Sequence, residues 1–294
     1  MPKRVLIQLD CDPQPSSFDA IVAVDAGVDV LLRHGGVTAA TVEPLVHGAM
    51  FTRGGGELAS TAIFIGGSDV AAAEAVADRV RRTFFGPVRV GVLVDPNGAN
   101  TTASAAVVAV ARHVPFSGPV PRCVVLGGTG PVGQRVARLL AGKGARVTVA
   151  SRSADKAADV VRRIREAVPA AVIDAAAGAV PLAASSPLAA AVAGADVIVA
   201  AGAAGSPLLD ASGRALAARA RLIIDLNAVP PAGIAGIAPG DKARQDGAAV
   251  VYGALGVGGL KMKIHKGAID RIFASTDAYL DAEALLAIGE SLHG

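Results

Sequence analysis

The stretch VVLGGTGPVGQRV, from Val124 to Val136, constrains the fold more than any other part of the chain. It sets an apolar run, a glycine-rich turn and the start of a helix in direct succession. Within it Gly128, Gly130 and Gly133 form G-x-G-x-x-G. In that context the first glycine permits a tight turn and the second removes a side chain that would block a pyrophosphate. The third lets helix and strand pack closely. Phosphates would rest on N–H groups at the helix N-terminus, with Thr129, Pro131 and Val132 completing the loop. Pro131 suits an early helical position, where no N–H donor is needed. A dinucleotide is the expected ligand.

The alternation of strand and helix continues past the motif. Ala145 to Ala150 reads as a strand, Ser153 as the cap of a helix reaching about Ala167, and Ala171 to Ile173 as a short strand. A helix from Pro187 to Ala193 follows, with strands at Asp196 to Ala200 and Arg221 to Leu226. Apolar runs of this length, bounded by Gly, Pro and Asp, are typical of strands buried on both faces. The expected fold is α/β, with a Rossmann-type doubly wound parallel sheet at its centre.

Because the motif begins only at Val124, a separate α/β domain is expected ahead of it. There, Arg4 to Leu9, Thr61 to Ile65 and Val88 to Val94 read as strands, and Phe18 to Asp25 begins a helix. Thr38 is placed to cap a helix through His47, and Ser68 one from Val70 to Arg82. NGANTTASAAVVAVARHV reads as one long helix leaving this half. The segment after Gly253 reads as helical, with Asp281 opening a final amphipathic piece that packs back on the first domain. The domains expected are 1–114 with 255–294, and 115–254.

Hydrophobic residues fill 52% of the 294 positions and charged ones 18%, so core material suffices for two domains. Formal charge is +3 and the basic residues are scattered, apart from Arg79, Arg81 and Arg82 at a helix end where cations favour the dipole. No nucleic-acid footprint results. Cys11 and Cys123 have neither metal-site nor disulfide spacing and the five histidines are dispersed, so no metal is expected. The uncharged segment from Ala175 to Ala195 is long enough to span a bilayer, but Pro181, Pro187, Gly178 and Gly194 interrupt it. A soluble, cytoplasmic protein is expected, since MPKRVLIQLD has too short an apolar run for a signal peptide.

The second strand of the central domain ends in VTVASRSADK, which places Ser151 and Arg152 where an NAD-binding sheet usually carries Asp or Glu. A carboxylate there bonds the ribose and repels a 2′-phosphate, whereas a hydroxyl and a planar cation suit the phosphate. NADP is favoured over NAD, with both accepted as the alternative. Ala201 and Gly202 follow a strand and leave room for a cofactor against the backbone, and Asn227 in DLNAVPP is placed to bond the nicotinamide side or the substrate.

Six further phrases, SSFD, FTRGG, STAIFIGG, NGANTT, NAVPP and GGLKMKIH, occur in this order around the glycine motif. With them the chain resembles, over essentially its full length, the NAD(P)-dependent methylene-tetrahydromethanopterin dehydrogenases of methylotrophic bacteria. That family includes members acting on methylene-tetrahydrofolate. The resemblance implies an N-terminal α/β pterin-binding domain, a central Rossmann domain, C-terminal helices returning to the first, and a substrate cleft between the domains. It also implies a homo-oligomer, a trimer or larger. The implied reaction oxidises a methylene group bridging two pterin nitrogens and delivers the hydride to NADP.

The resemblance also assigns residues. Phe18 would wall the pterin and Lys261 would face the reaction centre, with His265 one helical turn further on. Asn97, Asn100 and Thr102 would bond the ring or its linker, and Asp95 its amidine-like edge. Phe18 also fits a core position, Asp95 and Asn97 an Asx turn, and Lys261, Lys263 and Lys266 an exposed helix face. Related folate dehydrogenase–cyclohydrolases use a Tyr-x-x-x-Lys helix for water chemistry. Here no lysine lies between Lys3 and Lys143 and the tyrosines are Tyr252 and Tyr279, so cyclohydrolase activity is expected to be missing. The same lack argues against a shikimate- or amino-acid-type dehydrogenase with a Lys–Asp pair. A non-catalytic NADP-binding regulator is the remaining alternative.

Overall fold

The computed structural model describes residues 2–183 and 185–292. Met1 of MPKRVLIQLD, one position of the uncharged 175–195 segment and the last two residues of the C-terminal segment lie outside them.

The chain forms two compact units, Met1–Thr101 with Met262–Gly294, and Thr102–Lys261. The division falls inside two long helices, α4 (Ala99–His113) and α9 (Ala254–Ile272); the borders expected at 114 and 254 lie just past the end of the first and at the start of the second.

The first unit contains strands β1 (Val5–Asp10), β2 (Val30–His34), β3 (Thr61–Gly66) and β4 (Gly91–Val94). Its N-terminal helices are α1 (Ser17–Asp25), α2 (Glu43–Phe51) and α3 (Val70–Thr83). All strand pairs are parallel, in the order β4-β3-β1-β2. β3 is buried at every residue, which explains its unbroken apolar run. One face packs on α2 and α3 through Ile7, Leu9, Ile63, Ile65, Val46 and Val76. On the other, Phe64 stacks on His265 of α9. The chain's last strand, β12 (Tyr279–Leu280), extends this sheet by pairing parallel with β4, and α10 (Ala282–Ser291) follows it. The C-terminal segment therefore does return to the first unit.

Two caps differ from expectation. α2 starts at Glu43, because Thr38 and Thr41 close a turn: the Thr38 N–H donates to Thr41 Oγ1 (3.0 Å). α3 is capped by Asp69, whose side chain accepts the Ala72 N–H (3.0 Å). Ser68 instead donates its N–H and hydroxyl to Asp12 (2.9 and 2.8 Å), tying the loop after β3 to the loop after β1.

The second unit runs β5 (Arg122–Leu126), α5 (Pro131–Gly142), β6 (Arg146–Ser151), α6 (Ala154–Ala167), β7 (Val172–Ala177) and α7 (Pro187–Ala193). It continues through β8 (Val197–Ala200), α8 (Ala211–Leu216), β9 (Leu222–Asp225) and the hairpin β10 (Arg244–Asp246) and β11 (Ala249–Tyr252). Strand order is β10-β11-β9-β8-β5-β6-β7, parallel except for β10. Without that edge strand this is the doubly wound order 3-2-1-4-5-6, whose direction of winding reverses between β5 and β8. Ligands of such sheets bind outside the carboxyl ends of the strands at that reversal. One face buries Val124, Leu126, Ile198 and Ile223 against Leu188 and Val192 of α7, while α5 and α6 pack on β5, β6 and β7.

Candidate active site

The glycine loop joins β5 to α5 at that reversal. The left-handed residue is Gly127 (φ +68°), one position before the residue expected to make the tight turn. A Cβ on Gly127 would lie 2.6 Å from Gly202 Cα. Gly128 is needed for approach: its Cβ would stand 2.9 Å from both Val125 O and Val149 Cγ1. Gly130 caps α5 and faces Ala201 O, and a Cβ on Gly133 would meet Gly127 O at 2.5 Å. A bare backbone cradle thus opens onto the N-terminus of α5, the geometry a pyrophosphate requires.

Beside the cradle lies a cavity of about 290 Å³. Gly127, Thr129 and Gly130 form its floor, Ser151, Arg152 and Lys156 one end, and Gly202, Ala203 and Ser206 to Leu208 a wall. Thr129 Oγ1 and Ser151 Oγ are 3.3 Å apart, and the Ser153 N–H donates to Ser151 Oγ (3.2 Å). Arg152 is exposed at the head of α6, and Ser153 caps that helix by accepting the Lys156 N–H. Among the described residues lining the cavity none is a carboxylate. Ala201 is buried and its N–H donates to Leu126 O (2.8 Å).

Asn227 is nearly buried, and its amide is engaged within the protein. Oδ1 accepts the N–H groups of Gly205 (3.3 Å) and Val229 (3.1 Å), while Nδ2 donates to Pro231 O (3.0 Å). Beneath it Asp225 is buried, which pushes its carboxyl above the usual range, with N–H groups of Ile234, Asn227 and Gly233 pulling the other way.

The residues assigned to substrate occupy several environments. Phe18, in the first turn of α1, is 52% exposed. Ser16 caps that helix by accepting the Asp19 N–H (3.2 Å). Asp95 is fully buried at the end of β4: Oδ1 accepts the N–H groups of Asn100 (2.9 Å) and Thr101 (3.0 Å), and Oδ2 the Thr101 hydroxyl (2.6 Å). A carboxylate at this place satisfies the first N–H groups of α4 and opposes its dipole. Asn100 is buried and donates from Nδ2 to Val94 O (2.6 Å). Asn97 is exposed in a left-handed turn (φ 54°), and Thr102 is half-buried.

Lys261 is half-buried on α9. His265, on the same helix, is fully buried with its ring 5.7 Å from that of Phe64. Lys266 pairs with Asp25 (2.9 Å), both exposed. Arg53 of FTRGG is structural, donating to Lys3 O (2.9 Å) and Ser60 O (2.8 Å). Gly253 and Gly256 of GALGVGG are packing residues, since a Cβ on either would strike the backbone of residues 238–242.

Burial pushes the Cys11 thiol up, with Asp10, Asp12 and Asp69 adding to it, and burial drives Cys123 up to about 12. Among the described residues no cluster of three or more His, Cys, Asp or Glu could hold a metal, and no helix is long and apolar enough to cross a membrane.

Comparison with known proteins adds to this geometry. Residues 17–97 match the model of the methylene-tetrahydromethanopterin dehydrogenase N-terminal domain, and residues 120–235 that of shikimate / quinate 5-dehydrogenase. A relative from Methylorubrum extorquens, "Bifunctional protein MdtA", is 41% identical over 99% of this chain and 100% of its own. The NAD(P)-dependent methylenetetrahydromethanopterin dehydrogenase of the same organism is 33% identical over 89% of both chains. The chain belongs to the methylene-tetrahydromethanopterin dehydrogenase family. The family's oxidoreductase chemistry and nicotinamide cofactor agree with the cradle and cavity described above. Among solved structures, quinate dehydrogenase from Corynebacterium glutamicum in complex with NAD covers 98% of this chain and 99% of its own, with a TM-score of 0.54 at 16% identity. That likeness establishes the fold alone.

The sequence reading missed Gly127 and Lys156. A second glycine before the fingerprint was a visible signal for the first, and a lysine four residues beyond Arg152 for the second.

Proposed function

We propose that the protein transfers a hydride from methylene-tetrahydromethanopterin to NADP, giving the methenyl form, with NAD as a second acceptor. The observation carrying the cofactor choice is the cavity end formed by Ser151, Arg152 and Lys156, which is free of carboxylates among the described residues. Two cations and a hydroxyl suit a ribose 2′-phosphate, whereas a carboxylate would repel it. Family membership supports the pterin.

When bound, NADP supplies the hydride acceptor. Gly128, Gly130 and Gly133, with Gly127, keep the cradle open; Thr129, Pro131 and Val132 complete the entry to α5; and Gly202, after the buried Ala201, lines the cavity. On the substrate side, Phe18 walls the pterin, Asn97 and Thr102 bond its polar edge, and Lys261 faces the reacting carbon. Lys261 cannot attract a cationic product, so its role is orientation or tuning. Asp95, Asn100 and His265 hold the elements carrying these groups. The methylene carbon lies between two nitrogens whose lone pairs stabilise the developing cation, so no acid–base dyad is required. The protein's task is to hold donor and acceptor at about 3–3.5 Å.

We further propose that cyclohydrolase activity is missing and that the chain works as a homo-oligomer, a trimer or larger, which light scattering would test. The deciding experiment follows reduced-cofactor absorbance with methylene-tetrahydromethanopterin and methylene-tetrahydrofolate, each against NADP and NAD. The first pterin with NADP should give the highest kcat/KM. A higher value with methylene-tetrahydrofolate would reassign the substrate. Turnover of neither pterin, with NADP binding intact, would make the chain a non-catalytic NADP-binding protein. Hydrolysis of the methenyl product above background would overturn the missing-cyclohydrolase reading.

A further inference from the structure

We infer that Asp225 and Asn227 are positioning residues that set the cofactor-cavity wall on the β8 side of the glycine loop. This rests on assigning that cavity to the nicotinamide dinucleotide. The wall is the irregular segment 202–208 after β8, bent through Gly205 at φ +70°. It is held from behind by the loop that follows β9. Leu208 and Leu209 both donate N–H bonds to Gly233 O (2.7 and 3.0 Å), and the Gly205 N–H donates to Asn227 Oδ1 (3.3 Å).

That supporting loop is folded around the two side chains. Asp225 Oδ1 accepts the Asn227 N–H (3.0 Å) and Oδ2 the Ile234 N–H (3.0 Å), closing residues 226–234 into one turn. Asn227 staples its middle through the Val229 N–H (3.1 Å) and Pro231 O (3.0 Å). The fit is close, since a Cβ on Gly233 would lie 2.6 Å from Asp225 Oδ1. Removing Asp225 leaves the buried N–H groups of Asn227 and Ile234 without acceptors, removing Asn227 leaves the part-buried ones of Gly205 and Val229, and either change frees Gly233 O to move, and the wall with it.

The brace acts on one half of the ligand. Gly202, at the head of the wall, abuts Gly127 on the β8 side of β5, whereas Ser151 ends β6 and Arg152 and Lys156 follow it on the other side. A dinucleotide across this reversal places its 2′-phosphate half beside β6 and its nicotinamide half beside β8. Loosening the brace should therefore weaken the whole dinucleotide while sparing a fragment that ends before the nicotinamide.

The test is calorimetric binding of NADP and of adenosine 2′,5′-bisphosphate to the full chain and its variants. Asn227→Ala should raise the Kd for NADP about tenfold and leave that for the fragment within about twofold. Asn227→Asp keeps the acceptor for Gly205 and Val229 but sets a carboxylate oxygen against Pro231 O, and should show the same split. Asp225→Asn should show the same split. Equal weakening of both ligands, or of neither, overturns the inference. If the wild-type chain binds neither ligand, the assignment of the cavity itself fails, which is a distinct result.

Discussion

Replacing Gly133 by alanine tests the glycine cradle most directly, because the added atom meets backbone and no flexible side chain. The new Cβ would sit 2.5 Å from Gly127 O and 2.8 Å from Gly128 Cα, about 0.9 Å inside the 3.4 Å at which ordinary contact begins for the first. Gly127 cannot retreat, since its own Cα faces Gly202 across a gap too small for a methyl group. Overpacking of this kind costs about 1–3 kcal/mol, against which alanine in a helix regains up to about 1. A net loss of roughly 1–2 kcal/mol is expected in urea unfolding, together with weaker NADP binding as the loop is pushed off the helix N-terminus. Gly142→Ala is the control. It lies in the same helix with open space around it, and should be neutral or stabilising by up to about 1 kcal/mol, with NADP binding unchanged. Equal stability and equal NADP affinity in the two variants would refute the claim that close packing requires the third glycine.

Arg152→Ala and Lys156→Ala should each weaken NADP by about 10- to 100-fold, the value of a charge-assisted contact, while NAD binding stays within twofold. Equal losses with both cofactors would show that this end of the cavity does not read the 2′-phosphate. Lys261→Ala should lower kcat with the pterin and leave the Kd for NADP as it is, and unchanged turnover would remove Lys261 from the site. Cys123 keeps its proton in the fold until about pH 12 but ionises near 9.0 when unfolded. The unfolded state therefore binds fewer protons across that window, and the thiol contributes a stability loss of about 1.4 kcal/mol per pH unit. The Cys123→Ala variant should lose stability less steeply than wild type between those values in alkaline urea titrations. Parallel curves would mean that the thiol is not buried.

Much of the second unit was legible because its signals are local. A strand buried on both faces must be apolar, a helix opening on phosphate needs glycines before it, and Ser151 with Arg152 stand on the residues that end the next strand. The same holds for β3, whose unbroken apolar run announced it. Short edge strands were not legible. β2, β10 and β12 exist because a neighbour offers a free row of hydrogen bonds, and nothing in VLLRH, RQD or YL compels extended backbone alone.

Side-chain roles divide in the same way. The motifs marked Asp95, Asn100, Asn227 and His265 as unusual, yet only the folded chain shows where their polar atoms point. Asp95 faces the start of α4, Asn227 faces two loops distant from each other in sequence, and His265 lies against Phe64. A buried polar group must find partners or lose several kcal/mol, and which partners are within reach is decided by tertiary packing. By itself the sequence determined a dinucleotide-binding α/β chain with a family-specific first domain, since period, glycine spacing and charge type are properties of neighbouring residues. The tertiary structure decided which peculiar residues hold the scaffold and which line the cavity, because that depends on atoms brought together from far along the chain.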